Sequence, residues 1–192
     1  MSWILMFAIA CGTPEAPAVA EPAPSIDAPV AAPPVAAAAM WSFKAQDGWT
    51  AETVTSKMRL AQFSLPKDDG DPEDASLVVY FFGEGGGGGV EPNFQRWAGQ
   101  FVVEGQDDPL KAAELSKTER EGVVIHHLRI SGNFIAETRP GSGDRVDKKG
   151  WRMLASVVET QGGPYFIKLT GPEKTVNKWA ASYETFLAVS GP

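Results

Sequence analysis

The run from Ala75 to Phe101, ASLVVYFF-GEGGGGGV-EPNFQRWAGQF, constrains the fold more than any other stretch. Ala75 to Phe82 is rich in β-branched and aromatic residues and is bounded by an acidic turn and by glycines, the signature of a strand. Beyond the glycines, Phe94, Trp97, Ala98 and Phe101 fall at i, i+3, i+4 and i+7, so the pattern predicts a helix near Asn93–Phe101 with one apolar face. A strand and an amphipathic helix joined by a short turn pack against each other. They can seed the core of a mixed domain.

Further signals follow on both sides. Strands are expected around Gly48–Thr53 and Met58–Leu65, then again at Ala112–Arg120 and Val123–Ile130, the last two joined by a Glu121-Gly122 turn. Arg139 to Gly150 reads as a polar loop. Trp151–Thr160 and Tyr165–Thr170 form another hairpin across Gln161-Gly162-Gly163-Pro164. Pro172 suits the first turn of a final helix, on which Val176, Trp179, Ala180, Tyr183 and Leu187 make an apolar stripe. Hairpins with two helices predict an α+β domain over residues 40–192, an antiparallel sheet covered by helices.

The N-terminal part is of another kind. Thr13 to Ala39 is almost entirely Pro, Ala and Val, which predicts a disordered tether. In polyproline II form it would reach on the order of 80 Å. Before it, Met1 to Ala10 is short and apolar and runs directly into Cys11, the sole cysteine. The run from Trp3 to Ala10 is far short of the ~20 apolar residues of a membrane span. Ala8-Ile9-Ala10-Cys11 resembles the end of a bacterial lipoprotein signal peptide, with Ala8 where that family usually has Leu and with no Lys or Arg ahead of it. The resemblance implies removal of residues 1–10, lipidation of Cys11, and a linker over residues 11–39. It also implies a place in the bacterial cell envelope, lipid-anchored and facing the periplasm from the outer membrane. With its one cysteine acylated, the domain would have no disulfide and would depend on its core.

Charge narrows the partners. Net charge is -7, and the three acids Glu15, Glu21 and Asp27 precede Lys44, the first of the 17 basic residues. A mildly acidic domain is no match for a nucleic-acid backbone. Arg139, Arg145, Lys148, Lys149 and Arg152 form the clearest basic cluster and are the candidate contact with an anionic partner surface.

Gly83 to Gly88 spells G-x-G-x-x-G, but dinucleotide binding needs a parallel βαβ unit, and Glu91 puts a negative charge where phosphate would sit. The turn is expected to be a connector whose glycines permit positive φ, and no nucleotide cofactor is expected. Asp69, Asp71 and Glu73 alternate as at the start of a calcium loop, yet the sixth position is Asp74 instead of Gly and the twelfth is Tyr80 instead of Glu. A solvated acidic turn is expected there, and no metal. His126 and His127 are neighbours on a strand, so they point to opposite faces and do not share a metal. There is no G-x-S-x-G elbow for a nucleophile. Of the tryptophans, Trp97 and Trp179 sit on apolar stripes, whereas Trp41 and Trp49 are less constrained and are the ones open to sugar stacking.

The order of elements resembles the PsbP-like fold. LPKDDGDPEDASLVVYFFGEGGGGGVEPNFQRWAGQF and YFIKLTGPEKTV are similar to segments of a group of bacterial envelope proteins, over most of Trp49 to Leu187. The resemblance implies an accessory role of noncatalytic binding or assembly type, with another envelope protein as partner. The alternative expectation is an envelope hydrolase or carbohydrate-binding domain using an open sheet face. The anchor is testable on its own: Cys11→Ser should leave the protein unprocessed or release it from the membrane fraction. Wild-type processing and fractionation of that variant would show that Cys11 carries no lipid.

Overall fold

The computed structural model describes residues 41–137 and 143–191. Cys11, the Pro/Ala-rich segment and Arg139 lie outside the described residues. The elements are β1 (Thr50–Ala51), β2 (Arg59–Leu65), β3 (Ala75–Phe81), α1 (Val90–Ala98), β4 (Phe101–Val102), α2 (Pro109–Ala112), β5 (Glu114–Arg120), β6 (Val123–Phe134), β7 (Lys148–Glu159), β8 (Tyr165–Pro172) and α3 (Glu173–Val189). All eight strands join one sheet in the order β1-β2-β3-β8-β7-β6-β4, and β5 pairs with the first half of β6. Every pairing is antiparallel. The molecule is therefore α+β, an antiparallel sheet covered by helices.

Alternation along the strands sorts side chains to two faces. Leu77 and Val79 of β3, Leu154 and Val158 of β7, and Tyr165, Ile167 and Leu169 of β8 face α3, where Val176, Tyr183, Phe186 and Leu187 close the core. Met153, Ala155 and Val157 of β7 and Phe166 of β8 point the other way, against Phe94, Trp97 and Ala98 of α1. The central strands β7 and β8 are thus buried on both sides. Among the described residues no helix is long and apolar enough to cross a membrane.

Four expectations are corrected. First, α1 ends at Ala98, and Phe101 lies in β4, paired with Phe134. Its burial comes from the sheet edge; the helical spacing was coincidental. Second, residues 148–150 are strand: β6 and β7 extend their hairpin, so the polar loop is shorter than expected. Third, Trp41 and Trp49 are buried at 8% and 7% exposure, packed among Phe43, Phe63, Tyr165 and Phe186. Neither offers a sugar a ring face. Trp179, expected in the core, is only half-buried and donates its indole N–H to the Pro66 carbonyl at 2.8 Å. Fourth, a short third helix, α2, sits where Asp108 caps the Leu110 amide.

The acidic turn ahead of β3 is not simply solvated. Asp71 Oδ2 accepts from the Thr175 amide at 2.9 Å and the Thr175 hydroxyl at 2.6 Å. It satisfies a donor at the start of α3, whose N-cap is Pro172, a residue with no capping side chain. Asp74 accepts from Ser64 and the Lys67 amide, and Glu73 takes Lys148. The carboxylates are thus drawn to separate partners.

The two histidines diverge as expected. His126 Nε2 lies 3.0 Å from Glu159 Oε2, while His127 is 4% exposed. His127 Nδ1 is 3.1 Å from the Ser156 hydroxyl and Nε2 is 2.9 Å from that of Thr118; Ser156 in turn meets the Tyr183 hydroxyl at 2.8 Å. Burial lowers the His127 pKa, opposed by Glu184 and reinforced by Arg129 and His126. A depressed histidine pKa means that the unfolded chain binds the proton more readily. The stability this group contributes is present above the unfolded value of 6.5 and is lost as pH falls towards the folded value. Urea midpoints measured from about pH 7 down to about pH 5 should fall in the wild type. His127→Gln removes the titration and keeps a polar group only towards Thr118, so it should lower stability overall and flatten that slope; an unchanged slope would assign it to other groups.

Candidate functional site

The glycine turn is anchored at its centre. Asn93, in the first turn of α1 and 2% exposed, donates its side-chain amide to the Gly87 carbonyl at 2.9 Å and the Gly89 carbonyl at 2.8 Å. Gly87 has φ +78 and lies against the Phe82 and Phe166 rings so closely that a Cβ there would collide with both. The turn does permit positive φ, as expected, at Gly83, Gly85, Gly87 and Gly88. It is also a fitted part of the core. It presents carbonyls to Asn93, the reverse of the amide cradle that a phosphate requires.

On one side of this turn, between α1 and the paired strands β3 and β8, lies a pocket of about 180 Å³. Its walls are Tyr80 and Phe82 from β3 and the residue after it, Trp97 from α1, and Phe166 from β8. Tyr80 and Phe82 are stacked at 6.3 Å with 5° between ring planes. Phe166 meets Phe82 edge-on at 5.8 Å and Trp97 at 6.3 Å. Four rings thus frame a narrow apolar space.

Two cations enter that space. Lys168 stands at the one charged position of β8, between Ile167 and Leu169, on the face that α1 covers. Its Nζ donates to Gln100 Oε1 at 2.9 Å and lies 5.8 Å from the Trp97 ring centroid. Arg96, one position before Trp97 on α1, donates to Asn93 Oδ1. No carboxylate lines the pocket, and neither cation is in an ion pair among the described residues. Desolvation, together with the Arg96 charge, lowers the Lys168 pKa from 10.5 to about 8. Both ordinary acceptors of the pocket, Asn93 Oδ1 and Gln100 Oε1, already serve the cations.

A second concavity of about 330 Å³ lies beside the turn, lined by Glu84, Gly85, Gly88, Val90, Val157, Glu159, Gln161 and their neighbours. It holds two carboxylates, Glu84 and Glu159. Both are exposed, and Glu159 is already engaged by His126. A catalytic acid and base need distinct environments to hold different protonation states, and these two share open solvent. Among the described residues no three His, Cys, Asp or Glu side chains converge to hold a metal ion.

The basic cluster expected from the sequence is divided among separate partners. Lys148 Nζ lies 2.7 Å from Glu73 and 4.3 Å from the Trp151 ring centroid, and Arg152 Nη1 is 3.9 Å from Glu173. The Arg152 Nε is buried without a hydrogen-bond partner. Arg145 and Lys149 are exposed, Arg145 bridging through its backbone to Glu137. Sequence reasoning missed Arg96 and Lys168. The available signal was a lysine in the middle of Tyr165-Phe166-Ile167-Lys168-Leu169, a strand otherwise apolar on both faces.

The chain matches no protein-family model, and a comparison with curated proteins finds no match. Among solved structures it is similar to the solution structure of cyanobacterial PsbP (CyanoP) from Synechocystis sp. PCC 6803. The TM-score is 0.46 and the identity 15%, over 79% of this chain and 85% of that one. The likeness concerns the fold alone.

The anchoring of the turn gives a sharp contrast. Gly85 (φ +69) has nothing within 4 Å of a Cβ, whereas Gly87 (φ +78) faces two rings. Alanine is strained by positive φ at both, so the difference isolates packing. Gly87→Ala should cost roughly 1–3 kcal/mol more than Gly85→Ala in urea denaturation. Equal costs would mean that the turn is a free connector.

Proposed function

We propose that this chain is a lipid-anchored, noncatalytic binding module of the bacterial envelope, and that the pocket between α1, β3 and β8 is its recognition site. The anchor part rests on Cys11 and the segment around it. The recognition part rests on one observation: Arg96 and Lys168 enter an aromatic pocket with no carboxylate to balance them. A desolvated lysine beside a second, exposed cation opposes folding. An anion delivered by a ligand would relieve that cost. A tethered module also gains effective concentration for any partner held at the same membrane, so modest affinity suffices. Arg139, Arg145, Lys148, Lys149 and Arg152 remain the proposed outer contact with a partner protein. Lys148 and Arg152 would contribute there only by exchanging their present carboxylate partners.

The second reading, a hydrolase or carbohydrate-binding domain, is favoured by the two carboxylates of the larger concavity. It is the weaker of the two because both are open to water and the tryptophans freest to stack on sugar are internal.

Lys168→Met separates recognition from architecture. It removes a desolvated charge while keeping the length of the chain, so the melting temperature at pH 7 should rise by a few degrees. Stabilisation by added anions, acetate or phosphate at fixed ionic strength, should disappear. The sign follows from linkage: a lysine whose folded pKa is depressed to about 8 is destabilising whenever it is charged. A lower melting temperature would mean that Lys168 serves the fold, and the recognition reading would fall.

A further inference from the structure

We propose that the pocket between α1, β3 and β8 takes a small planar organic acid, one aromatic ring bearing a carboxylate. This rests on the recognition reading above and names its ligand class. Three features converge on it.

The first is hydrogen-bond polarity. Asn93 has its amide N–H groups on Gly87 and Gly89 and its oxygen on Arg96, and Gln100 Oε1 is taken by Lys168. What remains is the guanidinium, the ammonium, the Gln100 NH₂ group and the Tyr80 hydroxyl. A ligand meeting that set must chiefly accept. A sugar, whose hydroxyls also donate, would leave its donors unpaired, and burying unpaired donors is costly. A carboxylate accepts at both oxygens and suits the flat fork of an arginine beside a lysine point charge.

The second is shape. Four rings line the space, with Tyr80 and Phe82 nearly coplanar in orientation and Phe166 edge-on to both Phe82 and Trp97. Aromatic walls of this kind favour a flat partner in stacked or edge contact. Phe82 is 44% exposed, so a ring bound there would cover an apolar surface that now faces water. An inorganic anion would leave these walls unused.

The third is size. A volume of about 180 Å³ holds a single ring with its acid group. Drug-sized and nucleotide ligands occupy pockets of roughly 300–1,000 Å³. A ring and a charge together use both halves of the lining; either alone uses one.

The experiment is calorimetric titration of the full chain with benzoate, benzamide, acetate and inorganic phosphate at matched ionic strength and pH 7. Benzoate should bind at least tenfold more tightly than each of the others. Arg96→Gln and Lys168→Met should each weaken benzoate tenfold or more, and benzoate should shift the Trp97 indole N–H resonance. Affinity should decline as pH rises beyond about 8, when Lys168 loses its proton beside Arg96; Gln100, Asn93, the Tyr80 hydroxyl and the Trp97 ring are the other groups facing it. Acetate or phosphate binding as tightly as benzoate would overturn the ring-bearing class and leave the anion pocket standing. Benzamide equal to benzoate would overturn the need for charge. Failure of all four to bind would overturn the proposal and the recognition reading together.

Discussion

Burial of β7 and β8 on both faces is the constraint on which the rest of this structure depends. A strand covered on two sides needs an apolar layer above and another below, and an antiparallel sheet of eight strands obtains them here from two unequal helices. α3, with 17 residues, is about 26 Å long and α1, with 9, about 14 Å. The longer helix and the Trp41–Trp49 segment close one face. The shorter cannot close the other. At its edge Phe82, 44% exposed, stands uncovered, and the pocket opens there between α1 and the rings of Tyr80 and Phe166.

How much of this was legible in the sequence follows from which forces are local. β3 and β6 announced themselves by β-branched runs, β7 and β8 by apolar runs on either side of a glycine turn, and β2 and β5 chiefly by the turns that bound them. The Glu121-Gly122 turn did so by chemistry, with φ 52 and 77 at its two residues as a primed hairpin turn requires. α3 was visible from its stripe, although Phe186, fully buried, was not singled out. Phe101 shows the limit. Its i+7 spacing from Phe94 fits a helix, but Gly99 ends α1 and pairing with Phe134 decides the outcome. Periodicity describes a candidate face and is silent on where a neighbouring strand claims the chain.

The site was illegible for a related reason. Arg139 to Arg152 looked like a binding surface because its charges are close in sequence, yet Glu73 and Glu173, far away along the chain, take up Lys148 and Arg152. Arg96 and Lys168 lie 72 positions apart and become neighbours only through β3–β8 pairing and the placement of α1. Opposite charges met in the first case and like charges in the second. A surface cluster that finds counter-charges becomes architecture. A pair that finds none carries an unmet electrostatic demand, and natural sequences keep such costs chiefly where function requires them.

The glycine turn joins these observations into one mechanism of placement. Its G-x-G-x-x-G spelling suggests amides gathered around a phosphate, but an antiparallel neighbour of β3 removes the geometry that would gather them. Here the turn works through its carbonyls. Gly87 lies flush on Phe166 because it has no Cβ, which brings its carbonyl and that of Gly89 onto the Asn93 amide. With its N–H groups so held, Asn93 offers Oδ1 to Arg96 and fixes the guanidinium at the pocket wall. The same Phe166 ring packs edge-on to Trp97, near which Lys168 lies. One residue without a side chain therefore sets both the aromatic wall and one of the two cations. A larger residue at Gly87 would disturb the two together, because packing and charge placement here are a single geometric fact.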